Sequence, residues 1–298
     1  MLKVGYIGLG IMGKSMARNI LHGGYPVMVH NRSREAVKEL VSEGATEAFS
    51  PAEVAANTDV VFTNLPDSPD VLDVVFGERG ISEGGKPGLI YVDHSTIKPA
   101  VSRQIYEKLA EKGIKSLDAP VSGGDIGAKQ GTLTIMVGGD DFILEKVKPI
   151  LSLCGKTITY VGGPGTGQIA KAANQIMVAA QMVAMAELLI FSQKAGADCK
   201  KVVEAIKRGA AQCWTLDVKP QRLFEGNREP GFKAYLQAKD LNIIMETARE
   251  YGIPLPSAAI DAQLYNAMLQ LGNGQQDNSA IISVIEQLAG VHLNESNH

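Results

Sequence analysis

The sequence predicts a doubly wound α/β domain over residues 1–163, followed by an all-α domain over residues 164–298, the two joined by a long interdomain helix. Three features carry this expectation. Up to about Val161, short apolar strands rich in β-branched residues alternate with helical stretches, the pattern of a largely parallel sheet with helical crossovers. The segment Gly162–Gly167 holds four glycines and a proline in six residues, which cannot continue a strand and marks a boundary. From Gln168 to Lys194 there is neither glycine nor proline, and alanine, methionine, leucine and isoleucine dominate, so a long, largely buried helix is expected.

Taken in order, the first strand is Val4–Ile7, and Ser15–Leu21 reads as an amphipathic helix. Between them stands Gly8-Leu9-Gly10-Ile11-Met12-Gly13, a G-x-G-x-x-G in strand–turn–helix context. Gly8 permits a sharp turn, Gly10 permits a pyrophosphate to approach the backbone, and Gly13 permits close packing of helix on sheet. The helix N-terminus adds N–H groups and partial positive charge. A dinucleotide is therefore the expected ligand, with Gly8, Leu9, Gly10, Ile11 and Met12 contacting it.

The second strand, Val27–His30, runs into Asn31-Arg32-Ser33-Arg34. This is where such a fold holds the adenosine ribose: an acidic residue binds the 2′-hydroxyl of NAD and repels the 2′-phosphate of NADP. Here a neutral Asn31 precedes Arg32, and a guanidinium pairs with phosphate in bidentate fashion. Asn31, Arg32 and Ser33 point to NADP, with NAD remaining possible; the competing reading of Arg32 and Arg34 is a solvated helix start, expected over Arg34–Glu43.

Val60–Asn64 is the next strand, and the loop Leu65–Pro69 follows it, placing Leu65 and Pro66 where ligands meet such sheets. Ile90–Asp93 leads to His94-Ser95-Thr96, whose hydroxyls lie near the nicotinamide half or cap the helix starting near Lys98. Lys115–Ala119 runs into Pro120-Val121-Ser122-Gly123-Gly124, either a backbone N–H cradle for a small carboxylate or a plain glycine turn. Leu133–Val137 and Thr157–Val161 complete the sheet. Beyond the long helix, further helices are expected over Lys200–Arg208, Ala234–Tyr251, Ser257–Leu271 and Ser279–Leu288.

With 298 residues and 45% apolar composition the chain can bury two cores, and a net charge of −3 provides no basic field for nucleic acid or an anionic membrane. No apolar run approaches the length of a membrane span, and no leader precedes the first strand, so a cytoplasmic protein is expected. Cys154, Cys199 and Cys213 are too scattered for a disulfide frame, and His22, His30, His94, His292 and His298 lack ligand spacing, which argues against a metal centre.

Lys171 and Asn174 stand at i and i+3 near the start of the long helix and so share a face. A lysine on an apolar helix is costly without a partner or a task. Hydride transfer to a carbonyl needs a proton donor at the developing alkoxide, and an apolar setting would draw an ammonium pKa toward neutrality. A snorkelling surface lysine is the competing reading. Tyr235 and Lys239 have the Y-x-x-x-K spacing of short-chain dehydrogenases, but they lie beyond the glycine-rich boundary, outside the nucleotide domain. Histidine-dependent 2-hydroxyacid dehydrogenases also fit poorly, since His94 is the one internal histidine near a substrate position.

Together these residues resemble the 3-hydroxyacid (β-hydroxyacid) dehydrogenase family over nearly the whole chain. Gly5–Gly13 is similar to its nucleotide signature, Asp118–Gly124 to its substrate segment, Gly167–Asn174 to its catalytic segment, and Lys239-Asp240 to its cofactor-side segment. The resemblance implies a Rossmann-type N-terminal domain and a helical domain that builds a homodimer or homotetramer. It implies Lys171 as general acid in reduction, assisted by Asn174, with Ser122, Gly123 and Gly124 on the substrate carboxylate. It also implies Lys239 near the nicotinamide; Thr96, from its place past the strand end, and Phe232 are expected on the cofactor. Gln212, Trp214 and Phe232 are candidate walls of the substrate pocket, with Trp214 assigned to the substrate. The substrate is expected to be a short semialdehyde acid bearing either a hydroxyl or a methyl group. A catalytically silent, cofactor-binding oligomer is the alternative of another class, against which the presence of Lys171 argues.

Overall fold

The computed structural model describes residues 1–294; His298 and its three preceding neighbours lie outside the described residues. The chain divides into two compact units, Met1–Lys171 and the residues from Ala172 onward. The division falls inside one helix, Thr166–Lys194, a few residues past the glycine-rich segment.

The first unit is built on a nine-stranded sheet: β1 (Val4–Ile7), β2 (Val27–His30), β3 (Thr46–Glu47), β4 (Val60–Thr63), β5 (Ile90–Asp93), β6 (Lys115–Asp118), β7 (Val121–Ser122), β8 (Leu133–Gly139) and β9 (Gly155–Gly162). The order is β3-β2-β1-β4-β5-β6-β8-β7, with β9 also paired to β8. β1 pairs in parallel with β2 on one side and β4 on the other, so the direction of winding reverses there. β8 runs antiparallel to β6 and closes the parallel run. Successive side chains enter opposite faces: Val4, Tyr6, Val60, Phe62 and Val92 join one apolar layer, whereas Ile7, Val61 and Tyr91 join the other. Each face is covered by helices, which is why these strands read as unbroken apolar runs.

Two-residue strands such as β3 and β7 are too short to carry a periodic signal. The loop after β4 is shorter than the sequence suggests, because a helix begins at Ser68: Asp67 caps it by accepting from the Ser68 N–H at 2.6 Å, and Pro69 occupies its first turn. Helices Pro51–Asn57 and Asp141–Leu151 also emerge, capped by Ser50 and Asp140.

The second unit is helical. Thr166–Lys194 feeds Ala179, Met182, Val183, Ala186, Leu189 and Ile190 into a core completed by Leu241, Ile244, Tyr265 and Ile281. By length and composition this 29-residue helix is long and apolar enough to cross a membrane, which the expectation of no span-length stretch overlooked. Half of its most apolar window is buried within the protein, as in a core helix. The remaining helices are Cys199–Ile206, Trp214–Phe224, Ala234–Glu250, Pro256–Gln270 and Ile282–Ala289, the last preceded by a 3₁₀ turn at Asn278–Ile281. Trp214–Phe224 has no counterpart in the sequence reading, because Pro220 inside it mimics a stop.

Candidate active site

The first unit gathers most of the candidate residues at the carboxyl ends of its parallel strands. After β1, Gly8 has a φ of +92°, and a Cβ there would lie 2.3 Å from the Asn64 carbonyl oxygen. A Cβ on Gly13 would lie 2.0 Å from the Gly8 carbonyl oxygen. Both glycines are thus demanded by the chain's own packing. Gly10 is different: a Cβ there would meet nothing within 4 Å. The fold does not need glycine at Gly10, whereas a ligand approaching the backbone does. The helix Gly13–His22 has no side-chain cap at Met12, and Ile11 is exposed beside it while Leu9 is buried. An uncapped helix start beneath an open glycine fits a dinucleotide pyrophosphate.

At the end of β2, the side-chain oxygen of Asn31 accepts from the Leu9 N–H at 3.0 Å, and its amide donates to the Ser33 hydroxyl at 2.8 Å. Asn31 therefore ties the ribose corner to the glycine turn. The two nearby arginines separate. Arg34 pairs with Glu47 and lies 5.1 Å over the Phe49 ring, so its own domain engages it. Arg32 and Ser33 are exposed at the corner.

After β4 and β5, Leu65 is half-buried and Pro66 exposed, and the Leu65 N–H donates to the Ser95 hydroxyl at 2.8 Å. The Ser95 N–H in turn donates to Asp93 Oδ1 at 2.9 Å. Ser95 is thus a structural link, and the residue at the start of helix Pro99–Ala110 is Lys98, not either hydroxyl. Thr96 is half-buried at the strand end. Burial pushes Asp93 up to about 6, opposed by the Ser95 and Thr63 hydrogen bonds. His94 is buried, stacks on Phe62 at 5.3 Å, and shares a 2.7 Å hydrogen bond through Nδ1 with the Ala119 carbonyl. Burial lowers it to about 4, so it is neutral and packs rather than catalyses.

Ser122 is half-buried in β7, and Gly123 and Gly124 follow with φ of +132° and +64°, a backbone path suited to glycine. A Cβ on Gly124 would meet nothing within 4 Å, so this turn is open in the way Gly10 is.

Lys171 stands in the second turn of the long helix and is 7% exposed. The turn before it is locked to the sheet. Asp118, at the end of β6, accepts from the Gly165 N–H through Oδ1 and the Gln168 N–H through Oδ2, each at 2.8 Å. Gln168 accepts from the Ile97 N–H at 3.1 Å and donates to the Ser95 carbonyl at 2.8 Å. Gly167 allows this approach, since a Cβ there would lie 2.6 Å from the Asp118 and Met136 carbonyl oxygens. Burial raises the Asp118 carboxyl above its ordinary range, and the backbone N–H groups pull it back. Asp118 and Gln168 escape sequence reasoning as individuals, although a buried Asp between Leu117 and Ala119 was a usable signal.

In the second unit, Asn174 Nδ2 donates to Gln175 Oε1 at 2.7 Å, and Gln175 Nε2 donates to Asp240 Oδ2 at 2.6 Å. The Lys239 ammonium lies 2.9 Å from Asp240 Oδ1. Gln175 and Asp240 are buried, Lys239 half-buried. The Tyr235–Lys239 spacing is a single helix turn within this unit, consistent with its rejection as a short-chain dehydrogenase pair. Phe232 is half-buried, and its N–H donates to Asp277 at 3.3 Å. Trp214 and Gln212 are exposed. Cys154 and Cys199 are buried, Cys213 is half-buried, and all three are free. Among the described residues no three metal-ligating side chains come together.

Comparison with known proteins extends this geometry. Residues 3–162 match the family described as the NAD binding domain of 6-phosphogluconate dehydrogenase, and residues 165–285 match the NAD-binding domain of NADP-dependent 3-hydroxyisobutyrate dehydrogenase. The chain is 42% identical over 292 residues to 2-hydroxy-3-oxopropionate reductase of Escherichia coli (strain K12), covering 98% of this chain and all of that protein. Its fold is similar to 3-hydroxyisobutyrate dehydrogenase of Mycobacterium tuberculosis, solved with L-serine, at a TM-score of 0.87 and 29% identity over 96% of this chain and 99% of that one. It is also similar to Psf3, solved in complex with NADP+ and 2-OPP, at a TM-score of 0.87 and 27% identity, covering 95% and 99% of the two chains.

Proposed function

The chain belongs to the 3-hydroxyisobutyrate dehydrogenase family of NAD(P)-dependent hydroxyacid dehydrogenases, and from that premise we propose that it reduces 2-hydroxy-3-oxopropionate (tartronate semialdehyde) to D-glycerate with NADPH. The observation that carries the chemistry is Lys171, buried one turn after the helix start that Asp118 and Gln168 lock to the carboxyl edge of the sheet. The choice of substrate is supported by full-length likeness to the Escherichia coli reductase.

Gly8, Leu9, Gly10, Ile11 and Met12 hold the pyrophosphate in this reading, with Leu65, Pro66 and Thr96 along the rest of the cofactor; Phe232 and Lys239 are the further cofactor contacts proposed. When bound, the nicotinamide supplies hydride. Ser122 and the backbone of Gly123 and Gly124 hold the substrate carboxylate, and Trp214 contributes to the pocket wall. The Lys171 ammonium donates a proton to the carbonyl oxygen as it becomes an alkoxide, and Asn174 steadies the pair. In the oxidative direction the Lys171 amine takes that proton back.

Asn31 in place of an acid, and exposed Arg32 beside it, support NADP over NAD. Exposed apolar side chains on the helical unit, Met177, Phe191, Ile260 and Leu288, support assembly into a homodimer or homotetramer.

The test is initial rates with tartronate semialdehyde and with methylmalonate semialdehyde, each against NADPH and NADH. Preference for tartronate semialdehyde with NADPH is expected. A site built to bond a hydroxyl rejects a methyl strongly, whereas an apolar site rejects a hydroxyl weakly. Faster turnover of the methyl-bearing substrate would move the enzyme to 3-hydroxyisobutyrate chemistry.

A further inference from the structure

Asn174, Gln175 and Asp240 form a hydrogen-bonded chain whose direction is set at one end. An ionised carboxylate accepts and cannot donate. Asp240 Oδ2 therefore requires the amide NH₂ of Gln175, which lies 2.6 Å away. That leaves Gln175 Oε1 facing Asn174, so Asn174 must turn its own NH₂ toward Gln175, at 2.7 Å. One N–H of Asn174 is then committed to Gln175, and the oxygen of Asn174 faces away from Gln175 as an acceptor for other neighbours.

We propose that Gln175 is a positioning residue: held by Asp240, it fixes the amide of Asn174 so that Asn174 presents an acceptor oxygen to the reacting groups. This rests on the reading of Lys171 and Asn174 as the proton-transfer pair. An acceptor steadies an ammonium or a substrate hydroxyl, whereas a flipped amide would present NH₂ and repel the ammonium. Burial of Gln175 and Asp240 makes the device strict, because a mispaired amide there would forfeit hydrogen bonds that water cannot replace. The charged groups around Gln175 are Asp240 and Lys239 on helix Ala234–Glu250 and, one turn earlier on its own helix, Lys171.

The test is kcat and KM from pH 6 to 9 for Gln175→Leu and Gln175→Glu, with NADPH affinity and Tm measured on each. Gln175→Leu removes the acceptor for Asn174, and kcat should fall roughly 10- to 100-fold, the scale of a misplaced group, while NADPH affinity holds. In Gln175→Glu a neutral carboxylic acid reproduces the glutamine, donating through O–H to Asp240 and accepting from Asn174 through C=O. Ionised, it confronts Asp240 with a second negative charge. Its kcat should approach the parent's at low pH and fall at high pH through an ionisation the parent lacks, which a packing role alone would not produce. A parental pH profile in Gln175→Glu together with parental kcat in Gln175→Leu overturns the proposal, as does a loss in both variants that follows Tm alone. Near-normal turnover by Lys171→Ala would instead remove the reading on which it rests, so the two failures are distinguishable.

Discussion

Gly10→Ala and Gly13→Ala differ by one methyl group at neighbouring positions and are predicted to fail in opposite ways. At Gly13 the new Cβ would sit 2.0 Å from the Gly8 carbonyl oxygen, a backbone atom that cannot step aside. Overpacking of this kind costs about 1–3 kcal/mol, which for a unit of this size lowers Tm by roughly 2–12 °C. At Gly10 the Cβ meets nothing within 4 Å, and Gly10 is not among the positive-φ glycines, so the folded state should tolerate it within about 0.5 kcal/mol. The crowding appears only when the pyrophosphate arrives. If the same 1–3 kcal/mol is then paid on binding, NADPH affinity falls about 5- to 150-fold. Thermal unfolding without ligand and a fluorescence titration with NADPH separate the two effects. Parental affinity in Gly10→Ala would refute the backbone approach to the pyrophosphate, and a stable Gly13→Ala would refute the packing argument.

Two further predictions concern charge. Asp93, raised from 3.8 to about 6, gives stability that is present below its unfolded value and lost as pH rises through 6; His94, lowered from 6.5 to about 4, gives stability that is present above 6.5 and lost as pH falls through 4. Each change is on the order of 3 kcal/mol and they oppose each other between pH 4 and 6.5, so the parent should show a shallow dependence there. Asp93→Asn should then lose stability on acidification and His94→Gln should gain it, as read by denaturant unfolding at several pH values; parallel curves for all three proteins would contradict the assignment. Arg32→Ala should raise KM for NADPH far more than for NADH, and equal effects on the two cofactors would return Arg32 to the solvated surface.

Much of the fold was legible because its signals are local. β1, β4 and β5 are buried on both faces and read directly as apolar runs, and the long helix announced itself by the absence of glycine and proline after Gly167. What escaped was short or disguised: two-residue strands have no period, and Pro149 and Pro220 sit inside helices that a sequence rule would end. At the site, the glycine turn, Lys171 and Asn174 could be named from spacing, but their supports could not. Asp118, Gln168 and Asp240 act through partners 47 to 73 positions away, and no local pattern encodes such a contact. Arg32 and Arg34 looked alike in the sequence; only the pairing of β2 with β3 brings Glu47 to Arg34 and singles out Arg32.

The most direct measurement is single-turnover reduction of tartronate semialdehyde by Lys171→Ala, followed by NADPH absorbance beside an independent titration of NADPH binding. A buried general acid is predicted to be worth about 100-fold or more, so the variant should bind NADPH as the parent does and turn over at least that much more slowly. Near-parental hydride transfer in a variant that binds NADPH normally would contradict the assignment of Lys171 as the proton donor.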